Sequence, residues 1–160
     1  MIVVINTSPL IALDRIDCLF ILPALYGNIL RPQAVIDELT AGKCIYTGSD
    51  DLFNAEWMTT VEDPPEMALR KELGDGETAA IIIAHKHKAD LLILDDLAAR
   101  NVAREMGLTV TGTVGTILAA YKKGIIKDVE SALSDLRACG FHISDKMYNS
   151  TLRLAGKIAL

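Results

Sequence analysis

Acidic and small polar side chains lie next to the most apolar segments of this sequence. The polar cluster at 6–8 (NTS) comes directly after an apolar run at 2–5, and two aspartates at 95–96 follow the run at 91–94 (LLIL). Glu77 stands at the start of a further apolar segment. Oxygen ligands of this kind, without cysteine or a well-placed histidine nearby, favour Mg²⁺ or Mn²⁺ over zinc. Two such ions about 4 Å apart can activate a water and stabilise the leaving oxygen of a phosphodiester.

Each of these residues also has a structural explanation. Ser8 directly before Pro9 is a typical helix N-cap signal. Either Asp95 or Asp96 could cap the helix that follows them. Glu77 would stabilise the first turn of its helix through the helix dipole. These alternatives stay open for each residue taken alone, and it is the convergence of the acids that favours a functional site.

Glu38 is a further candidate ligand. In a helix predicted from 32 to about 39, it lies on the side of Ala34 and Val35, beside the apolar stripe, whereas Asp37 faces away. An acid beside a buried face is costly unless something compensates its charge, and a cation is one such partner. The alternative is an ordinary half-exposed acid, and the sequence alone does not place Glu38 near the other candidates.

Short apolar segments alternate with helical patterns along the chain. We predict strands at 2–5, 28–30, 91–94 and 108–111, with a possible edge strand at 57–61. We predict helices at 8–16, 18–26, 32–39, 66–73, 74–89, 95–107, 112–124, 128–139 and 144–156, with a turn or two of helix within 50–56. This alternation predicts an α/β domain with a mainly parallel sheet and helices on both faces.

The predicted topology brings three polar groups to one edge of the sheet. The carboxyl ends of parallel strands form the edge where sites occur, and both the 6–8 cluster and the 95–96 pair follow strands. The helix at 74–89 leads into the strand at 91–94, so its first turn with Glu77 lies at the same edge. The glycine-rich stretches lack the GxGxxG pattern of a dinucleotide-binding site.

Composition narrows the possible classes of protein. The 160 residues are 51% hydrophobic, enough for one domain over 1–160 with a substantial core. No apolar stretch approaches the ~20 residues of a membrane span, and the N-terminus lacks the basic start of a signal peptide. Cys18, Cys44 and Cys139 are widely spaced, so we expect no disulfide framework or zinc site, and a cytoplasmic location.

The charge and hydropathy of the chain suggest what it binds. A net charge of −5 argues against a strong non-specific nucleic-acid binder, but a nuclease with clustered carboxylates is itself acidic. The mean hydropathy of +0.30 predicts a homodimer or higher assembly, with contacts through 8–26 or the C-terminal helices. Arg100 and Arg104 share a helix face and could contact phosphates or be ordinary surface charges. His85 and His87 point to different sides of one helix, which favours a solvated face.

Four segments together resemble a family. INTSPLIAL, GDGETAA, ILDDLAARNVAREMGL and TGTVGTILAAYKKGII are similar to the PIN domain, and more narrowly to a prokaryotic subfamily related to the VapC-type toxin ribonucleases. The resemblance covers about residues 1–156. It implies a three-layer α/β/α sandwich with a mainly parallel central sheet of four to five strands, commonly dimeric, and a ribonuclease dependent on Mg²⁺ or Mn²⁺.

The resemblance also assigns site residues. It places the first acid at Asn6, a helping hydroxyl at Ser8, and the remaining acids at Glu38, Glu77 and the Asp95–Asp96 pair, where Asp96 matches better. Asn6 departs from the active nucleases, which have Asp there. An amide oxygen can ligate a hard cation, but it carries no charge and cannot act as a base.

Two functions therefore remain open. The first is a metal-dependent ribonuclease that could be the toxin of a toxin–antitoxin pair, with RNA as substrate and a small antitoxin protein as partner. The second is a PIN-fold module that binds RNA or protein with weak or no cleavage, because Asn6 replaces the first acid. A small-molecule phosphatase built on the same acids is a third, less favoured reading.

Overall fold

Parallel strands form one five-stranded sheet in the part of the chain that the structure describes. The computed structural model describes residues 1–41, 48–66, 69 and 72–159. The strands are β1 (Val3–Ile5), β2 (Ile29–Pro32), β3 (Met58–Val61), β4 (Leu91–Ile93) and β5 (Val110–Thr111). They lie in the order β3-β2-β1-β4-β5, and each neighbouring pair is parallel. The prediction of an α/β fold with a mainly parallel sheet is confirmed.

Helices follow the strands on both sides of the sheet. Those within the described residues are α1 (Thr7–Arg15), α2 (Ile21–Tyr26), α3 (Gln33–Ala41), α4 (Asp50–Asn54), α5 (Asp75–Lys86), α6 (Leu97–Glu105), α7 (Thr113–Lys122), α8 (Val129–Ala138) and α9 (Asp145–Leu154). No helix in these ranges is both long and apolar enough to cross a bilayer.

The sheet separates two clusters of buried side chains. Val3 and Ile5 of β1 pack into one cluster, with residues of α1, α2, α3, α7 and α8, whereas Val4 packs into the other, with residues of α5 and α6. Successive side chains of a strand point to opposite faces. Burial of all three residues is therefore the pattern of a strand covered on both sides. The core thus fixes the direction in which each strand ends.

The switch point of the sheet lies between β1 and β4. The chain runs from β1 outward to β2 and β3, and then returns past β1 to form β4 and β5. In open parallel sheets, ligands bind beyond the carboxyl ends of the strands at such a switch point. The residues that follow β1 and β4 are therefore the first to consider as a site.

The start of α1 differs from the prediction. The helix begins at Thr7, with Asn6 in the N-cap position, so Ser8 is not the cap and Pro9 is the third helical residue. Pro9 is tolerated there because the first N–H groups of a helix have no partner within the helix. The hydroxyl of Ser8 instead contacts Asp95, so a contact between distant segments takes the place of a local cap.

Other boundaries moved by a few residues. Pro32 ends β2 rather than opening α3. The possible strand at 57–61 is β3 at the sheet edge, as predicted. Residues 67–68 and 70–71 of the predicted helix at 66–73 lie outside the described residues, and its described residues 66, 69 and 72–73 are not helical. Cys44 and the expected stop of α3 at Gly42 also lie outside the described residues.

Candidate active site

The carboxyl edge of the sheet carries a cavity of about 500 Å³ beside the switch point. Asn6, Ser8, Glu38 and Glu77 all line it, although they come from three different helices or helix starts. The structure therefore brings together four of the residues that sequence reasoning selected. Glu38, whose place the sequence left open, lies among them.

Glu38 is held by donors from two other helices. Thr7 at the start of α1 donates its hydroxyl to Oε2 of Glu38. The backbone N–H of Gly76 in α5 donates to Oε1 at 2.9 Å. A Cβ at position 76 would lie 2.6 Å from Oε2, so the carboxylate needs glycine there. The approach of α1 and α5 thus places Glu38 at the site.

Asn6 has a buried side-chain oxygen without a hydrogen-bond donor. Its backbone N–H donates to the carbonyl of Ile93 at 3.1 Å, which ties the end of β1 to β4. The residue is only 4% exposed, and Oδ1 has no partner among the described residues. A buried acceptor left unpaired costs free energy. An orphaned oxygen that lines an acid-rich cavity fits a cation ligand.

Glu77 lies in the field of two other acids. Burial raises the pKa of its carboxyl, and the charges of Asp96 and Glu38 raise it further. The backbone N–H of Gly74 donates to Oε2 at 2.9 Å and opposes the rise. Glu77 thus lies in the first turn of α5, as expected, and also accepts the N-cap backbone N–H there. The charge repulsion shows, in addition, that the three carboxylates share one region.

Asp96 caps α6, which was expected of either Asp95 or Asp96. Its Oδ1 accepts the N–H of Ala99 at 2.8 Å. Within the described residues, no donor reaches Oδ2 of Asp96. One oxygen thus caps the helix, while the charge of the same carboxylate raises the pKa of Glu77. Capping of α6 and a place in the site are therefore compatible.

Asp95 faces a different set of partners. Thr113 donates its backbone N–H to Oδ1 at 2.7 Å and its hydroxyl to Oδ2 at 2.6 Å. Ser8 donates to Oδ2 at 3.4 Å. Both oxygens of Asp95 therefore accept hydrogen bonds from other residues of the chain. Through these bonds Asp95 connects the ends of β1, β4 and β5.

The two candidate arginines differ in position. Arg100 lines a second cavity of about 280 Å³, together with Asp95 and Gly112. Its Nε is buried and lacks an acceptor among the described residues. Arg104 lies in the last turn of α6, is exposed, and lines neither cavity. Only Arg100 therefore lies at the site.

Sequence reasoning missed most of the residues that orient the acids. Gly76, Gly112 and Thr113 were not selected, yet each contacts or leaves room for a site carboxylate. Thr113 follows β5 almost directly, so the strand-end argument that found the 6–8 cluster could have found it. Thr7 belongs to that cluster, but no signal marks Thr7 or Gly76 as partners of Glu38, because those contacts span three helices.

The donors suit a hard divalent cation, although the acids are not gathered at one point. In the described ranges, no three His, Cys, Asp or Glu side chains are placed to hold one ion together. Carboxylate and amide oxygens are the ligands that Mg²⁺ and Mn²⁺ prefer. The unpaired Oδ1 of Asn6 would complete such a set, so the residues present fit the cation by type.

Comparisons with known proteins agree with this architecture. A family model described as a PIN domain matches residues 2–157. The fold is similar to that of a PilT N-terminus domain protein from the hyperthermophilic archaeon Sulfolobus solfataricus P2, with a TM-score of 0.55 and 19% sequence identity. That similarity covers 72% of this chain and 90% of the archaeal one. None of the curated proteins compared with the chain matches it.

Proposed function

Because the chain belongs to the PIN-domain family, whose members are generally metal-dependent nucleases, we propose that it hydrolyses phosphodiester bonds of RNA with Mg²⁺ or Mn²⁺. The observation that carries the proposal is the unpaired, buried Oδ1 of Asn6 in a cavity shared with Glu38 and Glu77. Oxygen donors from separate segments meet there at the switch point of the sheet.

The side chains divide into ligands and positioning groups. Glu38, Glu77 and Asp96 would hold the cation, with Asn6 as a neutral ligand. When bound, the cation would supply Lewis-acid activation of water and charge neutralisation at the phosphate. By analogy with the family, the product carries a 5′-phosphate.

Hydroxyl and amide donors keep these acids in place. Thr7 and Gly76 fix the direction of the Glu38 carboxylate. Asp95 accepts three hydrogen bonds, from Ser8 and Thr113, and lines the smaller cavity rather than the one shared by Glu38 and Glu77, so we assign it a positioning role. Pre-set side chains of this kind lower the cost of arranging the substrate at the moment of reaction.

An RNA-cleavage assay with a matched variant tests the proposal. Wild-type protein should cleave RNA in Mn²⁺ or Mg²⁺ and not in EDTA, and it should leave a generic phosphomonoester intact. Asp96→Asn, purified identically, retains an effective helix cap but loses a ligand charge, so its rate should fall at least about tenfold. Equal rates for the two proteins would indicate a contaminating nuclease and reject the proposal. Cleavage of the phosphomonoester instead would favour a phosphatase.

A second candidate function follows from the amide at position 6. Asn6 supplies no negative charge, and the acids within the described residues do not converge on one point. Both observations favour a module that binds RNA or a protein with weak or no cleavage. Detectable RNA binding without metal-dependent cleavage by the wild type would support this alternative.

The similarity to VapC-type toxins supports a finer proposal about biological role. Under this proposal, the protein is a cytoplasmic toxin whose partner is a small antitoxin protein. Expression in a bacterial host should then arrest growth, and Asp96→Asn should relieve the arrest. Growth unaffected by an actively cleaving wild type would reject the toxin role and leave the ribonuclease proposal intact.

We also expect the chain to form a homodimer. Phe20 is 53% exposed and Leu154 is 61% exposed, so large apolar side chains reach the surface in both regions selected from the sequence. Burial of such side chains between copies would stabilise an assembly. Light scattering at micromolar concentration should give about twice the 17.3 kDa of one chain. A monomer mass would contradict the expectation.

A further inference from the structure

A short turn between α8 and α9 lies between two cavities at the site. Phe141 and His142 line both the cavity that contains Glu38 and Glu77 and the smaller one that contains Arg100. The cavities adjoin, because Ser8 and Asp95, one from each, lie 3.4 Å apart. A strand that places a phosphate at the acids would therefore have a neighbouring nucleotide beside this turn.

We propose that Phe141 stacks on an unpaired base of single-stranded RNA in the smaller cavity, and that Arg100 binds the adjoining phosphate. The inference rests on the proposed function, since it specifies the form of RNA that the same site accepts. It makes Phe141 a determinant of substrate class, because only an unpaired base can enter a cavity and stack on a side chain.

The turn is held firmly enough to present Phe141 in one place. The N–H of Phe141 donates to the carbonyl of Leu136 at 3.0 Å, after Gly140 reverses the chain with φ +87°. Arg137 donates to the carbonyl of Ile143 at 2.9 Å. A side chain that is already ordered loses little entropy when a ligand binds, so a single aromatic ring can contribute effectively.

The smaller cavity has the composition of a nucleotide pocket. Its volume of about 280 Å³ is close to the lower end for small-ligand sites, roughly 300 Å³. Apolar Val114 and Leu118 line it beside the polar Thr111, the guanidinium of Arg100 and the carboxylate of Asp95, which already accepts three hydrogen bonds. Apolar walls with a few polar groups that fix orientation are typical of ligand pockets.

Arg100 provides the anchor for an anion. Its buried Nε has no acceptor among the described residues, and a phosphate oxygen that enters the cavity would supply one. Position 112 is a glycine, and a Cβ there would lie 3.3 Å from Nη1 of Arg100 and 2.8 Å from Oδ1 of Asp95. The absence of a side chain at 112 leaves both groups at the cavity.

The overall charge makes stacking more important than phosphate neutralisation. The chain carries −5, so it has no general attraction for a polyanion. It has only eight aromatic residues, counted as three Phe, four Tyr and one Trp, and one of these lines both cavities of the site. Base stacking on an aromatic ring tolerates any sequence and needs no positive charge on the protein, which suits an acidic protein.

Binding of a short fluorescein-labelled RNA tests the inference. Affinities of the full chain for the single strand, and for the same strand annealed to its complement, are measured in EDTA and again in Ca²⁺. Phe141→Leu keeps an apolar side chain but removes the ring, and it should weaken single-strand binding about tenfold. Phe141→Tyr keeps the ring and should bind as the wild type does. Phe53→Leu is the matched control and should have no effect, because Phe53 is partly buried against the same core cluster as Phe141 but lines neither cavity.

Three results would overturn the inference. They are equal affinities of Phe141→Leu and Phe53→Leu, duplex binding as tight as single-strand binding, and no single-strand binding in either buffer. Failure of the ribonuclease proposal is visible separately in the Mn²⁺ cleavage assay. Binding that depends on the ring at 141, without any cleavage, would uphold stacking and reject the nuclease. Cleavage by a protein whose binding does not depend on the ring at 141 would uphold the nuclease and reject stacking.

Discussion

Glu38 and Asp95 are held by the same kinds of donor at two places along the carboxyl edge. Each carboxylate accepts one backbone N–H and one threonine hydroxyl. For Glu38 these come from Gly76 and Thr7, and for Asp95 both come from Thr113. The pattern shows how an α/β fold fixes an acid at the carboxyl edge of its sheet: a helix start supplies the N–H and a threonine supplies the O–H.

Each of the two carboxylates also requires a glycine beside it. A Cβ at Gly76 would lie 2.6 Å from Glu38, and a Cβ at Gly112 would lie 2.8 Å from Asp95. These distances are shorter than any van der Waals contact allows. The glycines are therefore needed for space, since neither has a positive φ.

The two carboxylates differ in the charge of their neighbours. Glu38 and Glu77 line one cavity together with Arg15, and the charge of Glu38 raises the pKa of Glu77. Among the described residues, Asp95 is the one acid that lines the other cavity, which Arg100 also lines. Repulsion between the two neighbouring acids would make a cation favourable at Glu38. Similar hydrogen bonding thus accompanies the two roles that we propose, a ligand for Glu38 and a positioning group for Asp95.

The largest effect should separate these roles in the cleavage rate. Glu38→Gln removes a ligand charge, and we expect the rate in Mn²⁺ to fall by more than about 100-fold. Asp95→Asn removes a positioning group and should cost about tenfold. Asp37→Asn makes the same change in charge at an exposed neighbour of Glu38 and should leave the rate unchanged. A greater loss for Asp95→Asn than for Glu38→Gln would reverse the assignment.

Placing a negative charge at position 6 should strengthen metal binding in the cavity that contains Glu38. Asn6→Asp adds a carboxylate to the acid-rich cavity and should tighten Mn²⁺ binding by about 1–3 kcal/mol. RNA cleavage should rise most at low Mg²⁺. Without metal, the variant should be less stable than the wild type, because the new charge adds to the repulsion. Calorimetric Mn²⁺ titrations that give equal affinities would remove Asn6 from the site.

Adding a methyl group at the two glycines should separate function from stability. In Gly76→Ala the flexible, exposed carboxylate of Glu38 can move away, so Mn²⁺ affinity should fall while the Tm changes little. In Gly112→Ala the carboxylate of Asp95 is held by three hydrogen bonds. Overpacking should cost about 1–3 kcal/mol, or roughly 2–12 °C in Tm. Thermal unfolding and Mn²⁺ titration of both variants check this, and a loss of Tm confined to Gly76→Ala would contradict it.

The smallest effect should come from relieving repulsion in the metal-free protein. Glu77→Gln removes a charge that burial and two neighbouring acids disfavour, so in EDTA the Tm should rise by about 2 °C. Millimolar Mn²⁺ should raise the Tm of the wild type by several degrees, because it binds only the native state. It should raise that of Glu77→Gln much less. A Tm of the wild type that is unchanged by Mn²⁺ would argue against an assembled site.

Much of the fold could be predicted because its signals are local. Buried strands are read from apolar runs, and the helices that follow them from caps and closing glycines. The cap of α6 at Asp96 was one of the expected alternatives and is present. The start of α1 was predicted incorrectly, since Ser8 makes its contact with Asp95, 87 residues away. No local pattern contains that information.

The sequence by itself determined which kinds of atom would stand at the carboxyl edge. Asn6 and the Asp95–Asp96 pair had to follow their strands, because apolar runs of that length end where the core ends. Only the tertiary structure decided where Glu38 lies and which aspartate accepts hydrogen bonds on both oxygens. It alone also decided that Phe141 lines both cavities. The physical reason is that hydrogen bonds and charge repulsion act over a few ångströms. Their partners here are separated by 18 to 87 residues along the chain and meet only when the helices pack.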